Sequence, residues 1–305
     1  MMPSVSTWKR LARIEQVSQN VTAVDAKDPQ ALVASAWSAT NDAVSRRARE
    51  SVLSIDDVSM VYETLDGELV EALRGVALEV PENQFVTIVG PSGCGKSTLL
   101  KLIAGLMQPS RGTVYFQGRP VDRPHREVGL VFQQPVLLKW RTILDNVLLP
   151  IEYLRLPLRE HRPRAMHLLA LVGLTGFEQR LPRELSGGMQ QRAAIARALI
   201  FDPKVLLMDE PFGALDAMTR EELGLELLRI WEERKKTVLF VTHSIHEAVL
   251  LADRVVAMSA RPGRIVRTID VRLPRPRTAD LAFTDEYRDA VQALREVIYA
   301  RRTLR

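Results

Sequence analysis

The sequence predicts an α/β fold with a mostly parallel core sheet, and two observations carry this prediction. Short apolar runs, typical of strands buried on both faces, recur at residues 205–208, 237–241 and 254–258. Amphipathic helical patterns separate these runs at 221–235 and 245–252. Because strands that alternate with helices usually pair in parallel, we expect one sheet with helices on both of its faces.

An antiparallel β subdomain is predicted before this core. Residues 53–62 alternate apolar and polar side chains like a half-buried strand, and Asp66-Gly67 is a hairpin signal. Residues 69–80 then return as a strand interrupted at Gly75. Further short strands are predicted at 85–89, 113–116 and 128–132.

A helical pattern lies between the two β-rich parts and predicts an inserted helical subdomain at about 134–192. Its helices are expected at 142–149, at 162–172 and from Ser186 onward. Beyond Pro274 the chain is rich in Pro and Arg, and a final helix is predicted at 285–301.

The composition is that of a globular protein, with 46% apolar and 26% charged residues among 305. No apolar run is long enough to span a bilayer. The single cysteine, Cys94, excludes an internal disulfide framework and fits a reducing compartment. The net charge of +5 is modest, and a basic C-terminal segment is more often a solvated surface than a binding site, so we expect no nucleic-acid partner.

Residues 90–98 carry the strongest motif, G-x-x-x-x-G-K-S, between a predicted strand and a predicted helix. Glycines in such a loop let backbone N–H groups converge on phosphate oxygens, and the following helix adds its N-terminal N–H groups. Lys96 supplies a charge for the outer phosphates, and the Ser97 hydroxyl is a ligand for Mg²⁺. The residues of this phosphate-binding loop are Gly90, Pro91, Ser92, Gly93, Cys94, Gly95, Lys96, Ser97 and Thr98.

Two acidic residues follow the apolar run at 205–208. Ligands of doubly wound sheets lie at the carboxyl ends of the strands, so Asp209 and Glu210 are expected beside the phosphate-binding loop. Asp209 is placed to hold Mg²⁺ through its water shell, and Glu210 to orient the water that attacks the γ-phosphate.

A second anion-binding nest is predicted where Ser186, Gly187 and Gly188 open a helix. The chain thus has two phosphate-binding nests but a single lysine-bearing loop. This mismatch indicates that the two nests serve different nucleotides.

With these motifs in this order, residues 53–275 resemble the ATP-binding cassette (ABC) ATPases. The family's signature motif matches 185–189, with Met189 in place of the usual Gln, and its Walker B motif matches 205–210. The resemblance implies a P-loop NTPase of the ATP-binding-cassette type, with ATP and Mg²⁺ as cofactors. It assigns 51–275 to the nucleotide-binding domain and 276–305 to a basic C-terminal tail.

The resemblance also implies roles for four residues outside the two nests. Tyr62 would stack on adenine, and Asp216 would belong to the D-loop with Ala214 and Leu215. Gln133 would bind Mg²⁺, take part in catalysis and report the γ-phosphate to the helical subdomain. His243 would contact the γ-phosphate and hold the attacking water with Glu210, while the other four histidines match nothing in the family.

Two cassettes of this family dimerise head to tail, so each nucleotide would lie between Lys96 of one chain and Ser186 of the other. The implied partners are a second cassette, expected to be an identical chain, a transmembrane permease and, indirectly, a solute-binding protein. The implied location is peripheral, on the cytoplasmic face of the inner membrane.

Three runs, at 134–147, 260–265 and 273–277, resemble the ATPases of nitrate, sulfonate and taurine importers. They favour the ATP-hydrolysing subunit of a bacterial importer. The alternatives are an exporter ATPase, a soluble ABC ATPase acting on DNA or in translation, and a non-catalytic nucleotide sensor. A sensor disagrees with the intact set Lys96, Asp209, Glu210 and His243.

Residues 1–50 are polar and carry no motif, which predicts a poorly ordered N-terminal extension. The alternative is a short helix that docks on a partner or a membrane surface through the face formed by Trp8, Leu11, Ile14 and Val17.

Overall fold

The computed structural model describes residues 51–213 and 215–299, and two β-sheets organise them. The first is antiparallel and contains β1 (Ser51–Glu63), β2 (Leu69–Pro81), β4 (Arg111–Phe116) and β5 (Arg119–Pro120), in the order β2-β1-β4-β5. The predicted N-terminal extension lies outside the described residues.

The second sheet is the core sheet. Its strands are β3 (Phe85–Val89), β6 (Val128–Val131), β7 (Val205–Asp209), β8 (Thr237–Thr242), β9 (Arg254–Met258) and β10 (Ile265–Asp270). They lie in the order β10-β9-β3-β8-β7-β6. The five strands from β9 to β6 pair in parallel, and β10 adds an antiparallel edge. The predicted mostly parallel α/β core is confirmed.

The described residues form seven α-helices: α1 (Lys96–Ile103), α2 (Ile143–Tyr153), α3 (Leu158–Leu171), α4 (Gly187–Leu199), α5 (Ala217–Arg234), α6 (Ile245–Leu251) and α7 (Asp285–Tyr299). Two short 3₁₀ helices, Pro182–Glu184 and Ala279–Phe283, precede α4 and α7. Among the residues that the structure describes, no helix combines the length and apolar composition that a membrane crossing requires.

The core sheet is buried on both faces because its central strands are apolar throughout. Every residue of β3, β7 and β8 is buried. Phe85 and Phe240 face one cluster, with Trp231 of α5 and the side chains of α2, α3 and α4. Val86 and Val241 face the opposite cluster, with α1 and the antiparallel sheet. Successive strand residues point to opposite faces, so each strand stabilises both layers.

The structure corrects several predicted boundaries. β2 is continuous through Gly75, and the pairing of β2 with β1 shifts register at a β-bulge near this glycine. α2 and α3 are longer than predicted and contain Pro150 and Pro163. α4, predicted only by its start near Ser186, extends from Gly187 to Leu199. α5 begins earlier than predicted, at Ala217.

β10 is an element that the sequence pattern does not predict. As an edge strand it is only partly buried, and it carries Arg267, Thr268 and Asp270 rather than an apolar run. Next along the chain, α7 packs Tyr287, Val291 and Leu294 into a third cluster with β9 and α6. The C-terminal helix is therefore anchored on the core sheet.

Candidate active site

The phosphate-binding loop connects β3 to α1, as the motif predicts. Gly95 immediately precedes α1 with φ = 96°. A Cβ at this position would lie 2.6 Å from Leu73 Cδ2 and 2.9 Å from the carbonyl oxygen of Ala72, so a larger residue would collide with β2. The glycine lets the chain enter α1 directly at Lys96, and the free N–H groups of the first helical turn lie at the loop.

A cavity of about 320 Å³ opens beside this loop. It is lined by Tyr62, Val70, Ala72, Ser92, Gly93, Gly95, Lys96, Ser97, Thr98, Gln133, Glu210 and Arg261. The structure thus brings the predicted residues Tyr62, Gln133 and Glu210 together with the loop, although they come from three other parts of the chain. A cavity that combines an anion-binding loop with apolar lining residues suits a nucleotide.

Lys96 is almost fully buried, with 5% of its side chain exposed. Its ammonium donates to the carbonyl oxygens of Gly90 at 2.9 Å and Pro91 at 3.2 Å. It also lies 3.6 Å from Glu210 Oε1. These contacts hold the cation at the loop, where it can bind the outer phosphates of a nucleotide.

Glu210 stands directly after β7, and its backbone N–H donates to the carbonyl oxygen of Val241 on β8. One carboxylate oxygen faces Lys96, and the other lies 3.0 Å from His243 Nδ1. His243 follows β8 and is about half exposed. The resulting row Lys96–Glu210–His243 places a carboxylate between a phosphate-binding cation and a second hydrogen-bonding group, which suits a residue that orients water.

Asp209 lies one residue earlier and contacts the other end of the loop. Ser97 Oγ donates to Asp209 Oδ1 at 3.0 Å. Burial raises the pKa of Asp209, and the Glu210 carboxylate raises it further, whereas the Ser97 hydrogen bond and the Lys96 charge act in the opposite direction.

The chemistry of this pair fits Mg²⁺, which prefers hydroxyl and carboxylate oxygens. In the described residues there is no cluster of three or more His, Cys, Asp or Glu side chains that could hold a metal alone. The donor set therefore suits an ion that takes its remaining ligands from phosphates and water.

Tyr62 lines the cavity beside the phosphate-binding loop. Its hydroxyl shares a hydrogen bond of 3.1 Å with Thr98 Oγ1 and lies 3.6 Å from Met107 Sδ. Together with Val70 and Ala72, it gives the cavity an apolar side next to the phosphate-binding loop. A flat aromatic base would find its complementary surface there.

The second predicted nest is separate from this cavity. Ser186 caps α4, and its Oγ accepts a hydrogen bond from the Met189 N–H at 3.3 Å. Ser186 and Gly187 are exposed, and a Cβ at Gly187 would meet no described atom within 4 Å. Within the described part of the chain, Ser186, Gly187 and Gly188 are not among the residues that line the cavity.

Six other predicted residues also lie outside the cavity lining of the described chain. Two of them, Asp209 and His243, contact the lining residues Ser97 and Glu210. Gly90 and Pro91 act through their carbonyl oxygens on Lys96. Cys94 is buried behind the loop, and this burial raises the pKa of its thiol. Asp216 caps α5 by accepting from the Thr219 N–H, while Ala214 lies outside the described residues.

Two residues in or next to the site are not predicted from the sequence. Arg261 lines the cavity although it belongs to the loop between β9 and β10. Gln191 is fully buried in α4 and donates from Nε2 to the carbonyl oxygen of Phe132 at 2.9 Å, directly before Gln133. A lone Gln on the Ala-rich buried face of α4 is the one sequence signal that could have indicated it.

No histidine lines the cavity among the described residues, and only His243 contacts a lining acid, Glu210. His246 of α6 places Nδ1 3.0 Å from the hydroxyl of Tyr287 on α7. His125 packs beside Phe116, and His161 lies 3.0 Å from the carbonyl oxygen of Pro157.

Comparisons with known proteins find related sequences and structures. Residues 73–213 match the family model described as ABC transporter. An uncharacterized ABC transporter ATP-binding protein of Methanocaldococcus jannaschii is 49% identical over 252 residues, which cover 82% of this chain and 94% of that protein. A taurine import ATP-binding protein of Rhizobium johnstonii is 47% identical over 224 residues, covering 73% and 86%.

A solved structure with the same architecture is described as the dimeric post-hydrolysis state of an ATP-binding cassette bound to ADP and Pi. It aligns with a TM-score of 0.66 at 36% sequence identity. The match covers 73% of this chain and all of that one.

Proposed function

We propose that this chain, which belongs to the ABC transporter ATP-binding proteins and is an ATPase, drives a bacterial importer of taurine, a sulfonate, nitrate or a similar small solute. The row Lys96–Glu210–His243 carries the catalytic part of the proposal, because it joins a cation suited to phosphate with a carboxylate suited to orienting water. The taurine-import name of a relative and the three subgroup-like sequence runs support the solute class.

In this function the phosphates of ATP lie along the loop from Ser92 to Thr98. Lys96 and the N–H groups at the start of α1 bind their oxygens. Ser97, Asp209 and Gln133 would hold Mg²⁺, which when bound neutralises charge on the outer phosphates. The adenine would lie against Tyr62.

Glu210 is the residue that orients and polarises the attacking water. Its two carboxylate oxygens face Lys96 and His243, so a water between Glu210 and the γ-phosphate would be held by groups on both sides. His243 would complete this arrangement by contacting the γ-phosphate. The charge that develops on the transferred phosphoryl group is stabilised by Lys96 and the helix N-terminus.

A second cassette, proposed to be an identical chain, would complete each site. The Ser186 nest is exposed and separate from the chain's own cavity, so it is free to bind the nucleotide of a partner. A head-to-tail dimer would place Lys96 of one chain and Ser186 of the other on the same ATP. The related cassette is described as dimeric, which supports the formation of a dimer.

The helical subdomain is the proposed docking region for the permease. Trp140 and Tyr153 are 75% and 82% exposed on it, and large exposed aromatics of this kind favour a protein interface. Gln133 lies in the cavity at the edge of this subdomain and could transmit the state of the nucleotide. The chain would then be peripheral on the cytoplasmic face of the inner membrane and act indirectly with a solute-binding protein.

Residues 51–275 are the nucleotide-binding domain in this proposal, and 276–305 are its C-terminal tail. An exporter ATPase and a soluble ABC ATPase are the alternatives. The import name of the relative favours neither of them.

The test is affinity capture of the tagged Glu210→Gln chain from gently solubilised membranes with ATP present, followed by mass spectrometry. We expect a multi-helix permease in the captured material. Trp140→Ala should reduce its recovery, whereas Phe283→Ala, at a residue that is 74% exposed but outside the helical subdomain, should not. Recovery of soluble partners or nucleic acid alone would overturn the transport function.

A further inference from the structure

The loop at residues 259–264 connects β9 to β10, and it has no part in the function described so far. Its backbone is fixed against β2, because the Gly263 N–H donates to the carbonyl oxygen of Ala72 and the Arg74 N–H donates to that of Gly263. Gly263 also packs on the back of the phosphate-binding loop, where a Cβ would lie 1.9 Å from the carbonyl oxygen of Cys94. This β9–β10 loop is therefore anchored at the edge of the nucleotide cavity.

Arg261 projects from this loop into the lining of the cavity. Its Nε donates to the carbonyl oxygen of Gly93 at 3.4 Å, a long hydrogen bond at the phosphate-binding loop. The side chain is exposed, and among the described residues its two terminal nitrogens have no hydrogen-bond partner and no carboxylate partner. By contrast, Arg254 and Arg275, which are close in sequence, each pair with an aspartate.

Arg261 differs from the other cation of the cavity lining in having no acid paired with it in the part of the chain that the structure describes. Among the described lining residues, Lys96 and Arg261 are the cations and Glu210 is the acid. Lys96 lies 3.6 Å from Glu210, so part of its charge is already compensated, whereas Arg261 has no such partner. A polyphosphate carries several negative charges, so an uncompensated guanidinium in the cavity lining would attract such a ligand.

We propose that Arg261 is a further nucleotide-binding residue, which binds phosphate oxygens in the cavity beside Gly93. A guanidinium presents two parallel N–H groups, so it suits the oxygens of a phosphate better than a point charge does. The phosphate contact would replace its weak bond to Gly93. This inference rests on the proposed ATP site, and it adds a residue that the cassette motifs do not contain.

The experiment measures the Kd of the full chain for ATP, ADP and inorganic tripolyphosphate by isothermal titration. Arg261→Gln should raise the Kd for all three by roughly 10-fold, the weight of one charge-assisted hydrogen bond. Arg261→Lys should recover part of this loss. The matched control is Arg264→Gln, which removes the same charge from the same loop at an exposed residue that does not line the described cavity.

The outcomes separate this inference from the proposed function. If the wild-type chain binds ATP and Arg261→Gln binds it equally well, the role of Arg261 is wrong and the ATP site stands. A loss for ATP and ADP without a loss for tripolyphosphate would place Arg261 on the base or ribose and overturn the phosphate contact. If the wild-type chain itself does not bind ATP, the proposed function and the inference fail together.

Discussion

The N-termini of α1 and α4 both present free backbone N–H groups, but the first is enclosed by protein and the second is exposed. At α1 the loop encloses Lys96, which is 5% exposed, and Ser97 is bonded to the nearly buried Asp209. At α4 the Ser186 nest faces outward, and beyond its own cap to Met189 it has no described side chain over Gly187. The N-terminus of α1 is therefore surrounded by the side chains of its own chain, whereas, within the described residues, the N-terminus of α4 is not.

This difference explains why one chain carries two phosphate-binding nests. An anion bound at α4 alone would be held by backbone N–H groups and the helix dipole in contact with water, where such interactions are weak. The same N–H groups become strong when a second protein surface excludes the water around the phosphate. The exposed Ser186 nest thus indicates that a second protein surface is needed, whereas the enclosed loop at Lys96 indicates which groups act on the phosphates.

The largest effect is expected at the enclosed site. Glu210→Gln should keep ATP binding but lower the rate of phosphate release on the order of 10²- to 10⁴-fold, because the amide cannot act as a base for the attacking water. Lys96→Ala, measured in parallel, should weaken ATP binding itself. Turnover of the Glu210→Gln chain at the wild-type rate would remove Glu210 from its role.

A second prediction concerns the exposed Ser186 nest. Ser186→Glu keeps a side-chain hydrogen-bond acceptor at the N-terminus of α4 but places a negative charge where a phosphate would bind. We expect phosphate release to fall on the order of 10²-fold, comparable to the loss of a transition-state donor, with ATP binding by the monomeric chain unchanged. Thr142→Glu, the same change at the cap of α2, is the control and should keep turnover near the wild-type rate.

A third prediction tests whether the two nests act on the same nucleotide, by mixing two inactive variants. In a head-to-tail dimer, Ser186→Glu and Glu210→Gln chains mixed in equal amounts would form one intact site, made of Glu210 from the first chain and Ser186 from the second. Phosphate release should recover to about a quarter of the wild-type rate if dimers form at random. No recovery, with dimers present by sedimentation, would show that the two nests do not share a nucleotide.

The smallest effect is expected at Gln191, which links α4 to the segment before Gln133. Gln191→Leu removes one hydrogen bond but also a buried amide oxygen that has no partner among the described residues, so the free energy of unfolding should change by about 1 kcal/mol or less. Turnover should fall roughly 3-fold, in keeping with the net worth of one hydrogen bond.

The control for this link is Gln108→Leu, which removes a similar side-chain bond to the backbone at an exposed residue. It should leave turnover unchanged in the same phosphate-release assay. Equal effects of the two substitutions would show that Gln191 has no particular role between the two nests.

Much of this protein is determined by local sequence. The buried strands β3, β7 and β8 are continuous apolar runs, and the phosphate-binding loop is specified within nine residues by its glycines and Lys96. The Ser186 nest is equally local, because Ser186 caps the helix that it precedes. These features depend on neighbours a few residues away, so the sequence alone predicts them.

Other features exist only because the tertiary structure brings distant segments together. Arg261 meets Gly93 across 168 sequence positions, and Gln191 meets Phe132 across 59. Arg261 carries no local signal of its contact, and Gln191 is marked only by its place on the Ala-rich buried face of α4. The strand order β9-β3-β8-β7 places the ends of four strands side by side, and this pairing, rather than any short pattern, decides that Glu210, His243 and Arg261 share one neighbourhood with the phosphate-binding loop.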